Sequence, residues 1–150
     1  MASDSCWSYG GTVDTLANKI ERLSGGALVG TAGQGDCRPV LALLDKVRTP
    51  AGLPSYEAIS AVRSECLALV VLPKGRIFKI ATTIVSPGSW DDSTGIGMWE
   101  INGPFAAIGS GGDLALVAME CGKSARDAVR IACKYDTASR PPVHVMELTR

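Results

Sequence analysis

The chain has 150 residues, 46% of them apolar, with 15 basic and 15 acidic side chains and a single histidine. That length suits one domain with one core, and the balanced charge offers neither a basic field for nucleic acid nor a like-charged tail. No apolar stretch approaches the ~20 residues of a membrane helix, and Met1-Ala-Ser-Asp-Ser-Cys-Trp7 lacks a basic region and a signal-peptide core, so a cytoplasmic protein without membrane or nucleic-acid partners is expected.

The first dozen residues, rich in Gly and Ser, read as the end of a strand followed by a loop. Lys19-Ile-Glu-Arg-Leu23 alternates as a strand does, Ser24-Gly25-Gly26 turns tightly, and Ala27 to Ala32 makes a small-residue strand paired with it. Val40, Leu43, Leu44 and Val47 then recur at helical spacing, with Asp36 as cap, Pro39 in the first turn and Lys46 and Arg48 at the C-terminal end. Ser55 caps a shorter helix carrying Ile59 and Val62. Leu67–Leu72 and Ile77–Ala81 flank Pro73-Lys-Gly-Arg76 and predict a hairpin.

Ser86 to Gly97 reads as a loop with Trp90 and Trp99 near its ends. Phe105 to Ile108 reads as a short apolar strand that enters the turn Gly109-Ser-Gly-Gly112. A helix marked by Leu114, Val117, Ala118 and Cys121 follows and stops at Gly122. Ser124-Ala-Arg-Asp127 has a capping-box pattern and starts another helix, with Ala125, Ala128, Val129 and Ala132 inward. Arg140-Pro-Pro142 breaks the chain before a last strand that holds His144 on one face. Hairpins on either side of helix pairs predict a layered α+β sandwich. The five cysteines, odd in number and without C-x-x-C spacing, read as idle thiols with no disulfide or metal role.

Three places carry candidate chemistry. Gly33-Gln-Gly-Asp36 joins a strand to a helix, and its N–H groups suit either an oxyanion or a plain helix-entry turn. Lys19 lies on an early strand among small residues; burial would lower its pKa and suit catalysis, while an exposed strand lysine fits the pattern as well. Asp4 is a possible charge partner for it. Ser110 sits in front of a helix N-terminus, where N–H groups favour a carboxylate or oxyanion. It does not match the G-x-S-x-G nucleophile elbow, and no Asp-then-His order follows.

Together these residues resemble the β-type subunits of proteasomes, and most closely the bacterial HslV-type peptidase. Three blocks carry the resemblance. They are Ala2-Ser-Asp4 through Gly11-Thr-Val to Asn18-Lys-Ile-Glu-Arg-Leu23, then Val29-Gly-Thr-Ala-Gly33, then Ala107-Ile-Gly-Ser-Gly-Gly112 with the helix pair ending near Tyr135. Between Thr49 and Trp99 only the helix and hairpin pattern matches.

The resemblance implies a four-layer αββα sandwich of the N-terminal-nucleophile hydrolase type. In that family a threonine at the mature N-terminus attacks the amide carbonyl and its own α-amino group takes the proton. Lys19 falls on the catalytic lysine, Asp4 on its acidic partner, Gly33 on the oxyanion-hole amide, Ser110 on the serine that orients the nucleophile's amine, and Thr31 on the substrate pocket. The turn around Cys133, Asp136 and Ser139 overlaps a monovalent-cation site of relatives but matches it poorly, so no metal and no cofactor is implied. A homo-oligomeric ring, an ATPase unfoldase partner and an unfolded polypeptide substrate follow by resemblance.

The family's first strand, which carries the threonine, falls ahead of Ala2. Ser3 and Ser5 are displaced from its position, so the fold is expected to be truncated at the first strand, with no nucleophile present and no activity as it stands. The alternatives are a non-catalytic structural or assembly protein of phage or prophage type and a hydrolase of small amides.

Overall fold

The apolar runs Leu28–Ala32, Leu67–Val71 and Ile77–Ala81 form the centre of a five-stranded antiparallel sheet in the computed structural model, which describes residues 1–9, 12–33, 35–82 and 95–148. In chain order the strands are β1 (Ala2–Ser3), β2 (Cys6–Tyr9), β3 (Thr12–Leu16), β4 (Ile20–Arg22), β5 (Leu28–Ala32), β6 (Leu67–Val71), β7 (Ile77–Ala81), β8 (Gly97–Ile101) and β9 (His144–Val145). The helices are α1 (Arg38–Leu44), α2 (Tyr56–Ser60), α3 (Gly112–Glu120) and α4 (Ala125–Tyr135). The large sheet runs β4-β5-β6-β7-β8, while β1 pairs with β9 and β2 with β3 in separate two-stranded ribbons. The fold class is α+β.

Strand alternation divides the sheet into two faces. Val29, Ala68, Val70, Phe78 and Ile80 point to one side and pack with Val40, Leu44 and Ile59 from α1 and α2, forming the main core. The other side carries Ile20, Gly30 and Leu69, opposite one another in register. Beyond that side lie the β1–β9 ribbon and the α3–α4 pair, which packs through Ala115, Ala118 and Ala128.

Local chemistry explains several boundaries. Ser55 caps α2 by accepting from the Ala58 N–H at 3.3 Å, and Ser124 caps α4 by accepting from the Asp127 N–H at 3.2 Å. The β6–β7 turn closes with Gly75 at φ +85°. The Ser24-Gly25-Gly26 turn is locked to the end of α1: the Gly25 N–H donates to the Asp45 carbonyl at 2.7 Å, and the Ser24 N–H and hydroxyl donate to the Asp45 side chain. Those bonds hold the Asp45 carboxyl below the usual carboxylate range, the backbone N–H of Ser24 contributing most.

Several expectations are corrected. The first dozen residues hold β1, β2 and the start of β3, because their pairing is with each other and with the distant C-terminal strand. Phe105–Ile108 forms no strand ladder among the described residues. Cys37 and Cys66 are not idle thiols: they form a disulfide with Cα atoms 5.3 Å apart, since the turn after β5 folds back onto the entry to β6.

Helix-face and boundary readings change as well. Ala118 faces inward as expected, but Val117 is 64% exposed and Ala115 faces inward in its stead, because close helix packing takes the small residues. Leu43 is exposed too. Asp36 accepts from the Arg38 N–H, but Cys37 occupies the cap position, and Lys46 and Arg48 lie past the end of α1. Trp90 and most of the expected loop from Ser86 to Gly97 lie outside the described residues, while Gly97 and Trp99 belong to β8.

The turn at Ser24 makes a direct test of this packing. A Cβ on Gly25 would stand 2.3 Å from the Val47 carbonyl oxygen, whereas one on Gly52 would meet nothing within 4 Å. Gly25→Ala is expected to cost about 1–3 kcal/mol by overpacking, and Gly52→Ala to leave stability unchanged or slightly raised. Urea unfolding of both variants checks the contrast.

Candidate functional site

The sheet face that α1 and α2 leave uncovered forms one wall of a groove. β1 and the segment Ala106–Gly112 flank it, α3 and α4 close it, and it encloses about 150 Å³. Its floor is low because Gly30 and Ala32 bring no bulk there.

At one end of the groove two segments bring a charge pair together. Asp4 follows β1 and Lys19 precedes β4. The Lys19 ammonium donates to Asp4 Oδ1 at 2.9 Å, and the two side chains are only 14% and 15% exposed. Asp4 Oδ2 accepts from the backbone N–H groups of Cys6 at 2.9 Å and Arg140 at 3.3 Å, so both carboxylate oxygens are engaged. Lys19 itself is held in line by its carbonyl, which accepts from the Thr31 N–H at 2.9 Å. Asp4, named from the sequence only as a possible charge partner of Lys19, is in contact with it, and Thr31 also lines the groove.

A second cluster adjoins the first. The Ser110 hydroxyl donates to Asp136 Oδ2 at 2.7 Å, and the Ser139 hydroxyl donates to the same oxygen at 2.6 Å. The Ala138 N–H donates to Asp136 Oδ1 at 3.3 Å. Burial works against ionisation of Asp136, but the bonds from Ser139, Ser110 and Ala138 and the charge of Lys19 outweigh it, and its carboxyl titrates below the ordinary aspartate range. The same neighbourhood acts on Cys133. Burial pushes that thiol up, and Asp4 and Asp136 add to the effect against the opposing charge of Lys19. The two clusters therefore share one electrostatic field.

Glycine makes this approach possible. A Cβ on Gly111 would lie 2.8 Å from Ser139 Oγ and 2.9 Å from Ala132 Cβ, so only glycine lets the Ser110 turn close over the end of α4. Asp136 and Ser139 enter the sequence reading only through a poorly matched cation site. Their partnership with Ser110 spans a whole helix pair and leaves no mark in local spacing.

Gly33 stands apart from the other candidates. It has φ +120°, and a Cβ there would come within 2.9 Å of the Glu65 carbonyl oxygen. The next turn residue described, Gly35, donates its N–H to that same carbonyl at 2.9 Å. Gly33 does not line the groove; its neighbour Ala32 does, 3.5 Å from where a Cβ on Gly109 would be. The structure therefore brings together Asp4, Lys19, Thr31 and Ser110, and leaves Gly33 one residue outside. His144 lies in β9 opposite Ser3. Among the described residues no group of three or more His, Cys, Asp or Glu side chains is arranged to hold a metal ion.

No protein-family model matches the chain. No curated protein matches it either. Solved structures do. BPH from Thiobacillus denitrificans, in complex with epoxomicin, superposes with a TM-score of 0.66 at 23% sequence identity, covering 99% of this chain and 92% of that one. BPH from the same organism in a second structure gives a TM-score of 0.65 at 23% identity, covering 99% and 91%. At that identity the likeness is one of fold.

Asp136 carries a testable pH dependence. Its native pKa lies below its unfolded value, so the stability it contributes is fully present above about pH 4, the ordinary aspartate range, and is lost as pH falls through the lower native pKa. Asp136→Ala leaves the buried Ser139 hydroxyl without its acceptor, while the exposed Ser110 hydroxyl turns to solvent, and is expected to cost about 1–3 kcal/mol at neutral pH. Parallel denaturation of wild type and variant should show that gap shrinking as the solution is acidified.

Proposed function

We propose that this chain is a proteasome-β-type domain of HslV kind, with the four-layer αββα arrangement of N-terminal-nucleophile hydrolases, and that its groove is the support half of an amide-hydrolysing site. The observation that carries the reading is the half-buried Lys19–Asp4 ion pair, 2.9 Å long, beside the Ser110–Asp136 hydrogen bond in one groove. A structural neighbour of the same fold being a complex with epoxomicin supports it.

In this reading the attacking group is the hydroxyl of an N-terminal threonine, and its α-amine accepts the hydroxyl proton. Lys19 holds positive charge close to the hydroxyl and favours its deprotonation; Asp4 keeps that ammonium in position. Ser110, fixed by Asp136, accepts or donates at the α-amine and sets its direction. The Gly33 N–H stabilises the oxyanion that forms on the scissile carbonyl, which requires the turn after Ala32 to face the bound substrate. Collapse expels the amine with the transferred proton, and water then releases the acyl group. Thr31 contacts the substrate beside the nucleophile.

Among the described residues the groove is lined by one threonine, Thr31, which lies inside β5 and has no free amine. The nucleophile must therefore come from a further segment. A ring assembly, an ATPase unfoldase and an unfolded polypeptide substrate belong to the same proposal.

The test uses two forms of the protein. The chain that starts at Met1 should turn over no peptide amide. A version extended ahead of Met1 by a strand that starts with a free threonine should hydrolyse peptides and bind epoxomicin. In that version Lys19→Ala is expected to lower kcat by about 10²-fold or more. Hydrolysis of small amides but not peptides would favour the small-amide hydrolase. An extended form that cleaves nothing and ignores epoxomicin would leave the fold as a structural or assembly module.

A further inference from the structure

The Cys37–Cys66 disulfide takes no part in the chemistry of the groove, yet it touches one of the groove's borders. Cys66 is its fixed side. That residue is fully buried, its N–H donates to Thr82 Oγ1 at 2.9 Å, and its carbonyl accepts from the Thr82 N–H at 3.1 Å. Cys37, on the other side, stands at the cap of α1 and is 6% exposed. Between β5 and Cys37, two glycines come up against the entry to β6. A Cβ on Gly35 would stand 2.7 Å from the Glu65 carbonyl oxygen, which also accepts from the Gly35 N–H at 2.9 Å. That backbone bond and the sulfur bridge tie this stretch to the start of β6.

The surroundings of the two sulfurs suit the reduced state as well as the oxidised one. Cys37 Sγ lies 3.7 Å from the Ala32 carbonyl oxygen, and Cys66 Sγ lies 3.7 Å from the Leu67 carbonyl oxygen. In the disulfide neither sulfur has a proton to give. As thiols, each has an acceptor within reach of its weak S–H donor. Both residues belong to the main core, where a free thiol packs as a small apolar group. Val40 and Leu44 hold α1 to the sheet without the bridge. Reduction therefore exchanges a covalent tether for weak bonds and keeps the core.

The position of this pair is what gives the exchange a consequence. The Ala32 carbonyl shares a planar peptide unit with the Gly33 N–H, and Ala32 lines the groove. The cysteines thus border the peptide unit that the catalytic reading takes as oxyanion donor.

We propose that Cys37 and Cys66 form a reversible dithiol–disulfide switch, which fixes Gly33 and Gly35 against Glu65 when oxidised and releases them when reduced. A dithiol reductant operates it. Its thiolate attacks the Cys37 sulfur, on the more open of the two residues; the S–S bond breaks, and Cys66 departs as a thiolate and takes a proton. The second thiol of the reductant then attacks the mixed disulfide and frees Cys37. Two electrons and two protons pass to the protein, and the reductant leaves as a disulfide. Release misplaces the Gly33 N–H, so the oxidised form is the one fit for catalysis. That last consequence rests on the catalytic reading; the release of the glycines does not.

The test equilibrates the chain that starts at Met1 with mixtures of reduced and oxidised dithiothreitol, without denaturant. Alkylation and intact mass report the state of the bridge, and hydrogen exchange reports the backbone. Opening of the bridge should speed exchange in residues 33–37 about tenfold or more, leave β7 and α4 unchanged, and reverse on reoxidation. The double variant Cys37→Ala, Cys66→Ala should exchange fast there at every mixture. A bridge that opens only when the whole chain unfolds overturns the proposal. So does an opening that leaves 33–37 unmoved, or one that speeds exchange equally everywhere, since the bridge would then be a general clamp. In the threonine-extended form, opening should lower kcat about tenfold or more with little change in KM. An active extended form whose kcat ignores the bridge overturns the control of catalysis. An extended form inactive at every mixture counts against the catalytic reading alone, and the exchange result still decides the switch.

Discussion

The Asp4 carboxylate is where three distant stretches of this chain are fastened together. One oxygen takes the Lys19 ammonium at the entry to β4; the other takes backbone N–H groups from Cys6 and from Arg140, near the C-terminus. Ser5 reinforces the junction, its N–H donating to the Arg140 carbonyl and its hydroxyl to the Pro142 carbonyl. A carboxylate this shielded is tolerable only because every oxygen is engaged, and removing any one donor leaves charge poorly compensated. The β1–β9 ribbon is thereby held at a set position over the sheet. The groove beneath it, and the site at the groove's end, are consequences of that fastening.

The opposite wall is arranged by a different device. Asp136 ends α4 and gathers Ser110, Ser139 and the Ala138 amide around its carboxylate. Gly111 permits the approach, and the small faces of Ala115, Ala118 and Ala128 let α3 and α4 pack closely enough to bring the two turns into register. Two neighbouring carboxylates, Asp4 and Asp136, thus organise polar groups that a hydrophobic core alone would leave loosely placed. The core proper, between the sheet and α1 and α2, contributes rigidity but none of the candidate groups.

Features controlled by neighbours in sequence are legible in the chain. Ser55 and Ser124 cap their helices because a hydroxyl beside a helix start has few other options, and the β6–β7 hairpin follows from two apolar runs around a Gly-containing turn. The Asp4–Lys19 contact is anticipated only through resemblance, since no spacing rule joins the two residues. What depends on partners far along the chain is not. Phe105–Ile108 has the composition of a strand, but a ladder needs an edge to pair with. Val117 and Ala118 satisfy the same helical period, and only the closeness of α4 decides that the alanine goes inward. Spacing rules for cysteine treat Cys37 and Cys66 as unrelated, since nothing local reveals that Gly33 and Gly35 come up against Glu65.

That disulfide has a topological effect. It joins residues 29 apart, and the stretch between them contains α1, α2 and the short 3-10 turn at Pro50–Gly52. The whole helical layer over the main core is therefore a covalent ring stitched to the sheet at the mouth of β6. Closing a loop of that size restricts the unfolded chain by about 3–4 kcal/mol in the chain-entropy account. The restriction falls on the layer whose helices are shortest, seven and five residues, well below the length at which a helix sustains itself in water. When the rest of the sheet loosens, those helices cannot drift far from Val29 and Val70, so recovery begins from a layer already in reach of its core.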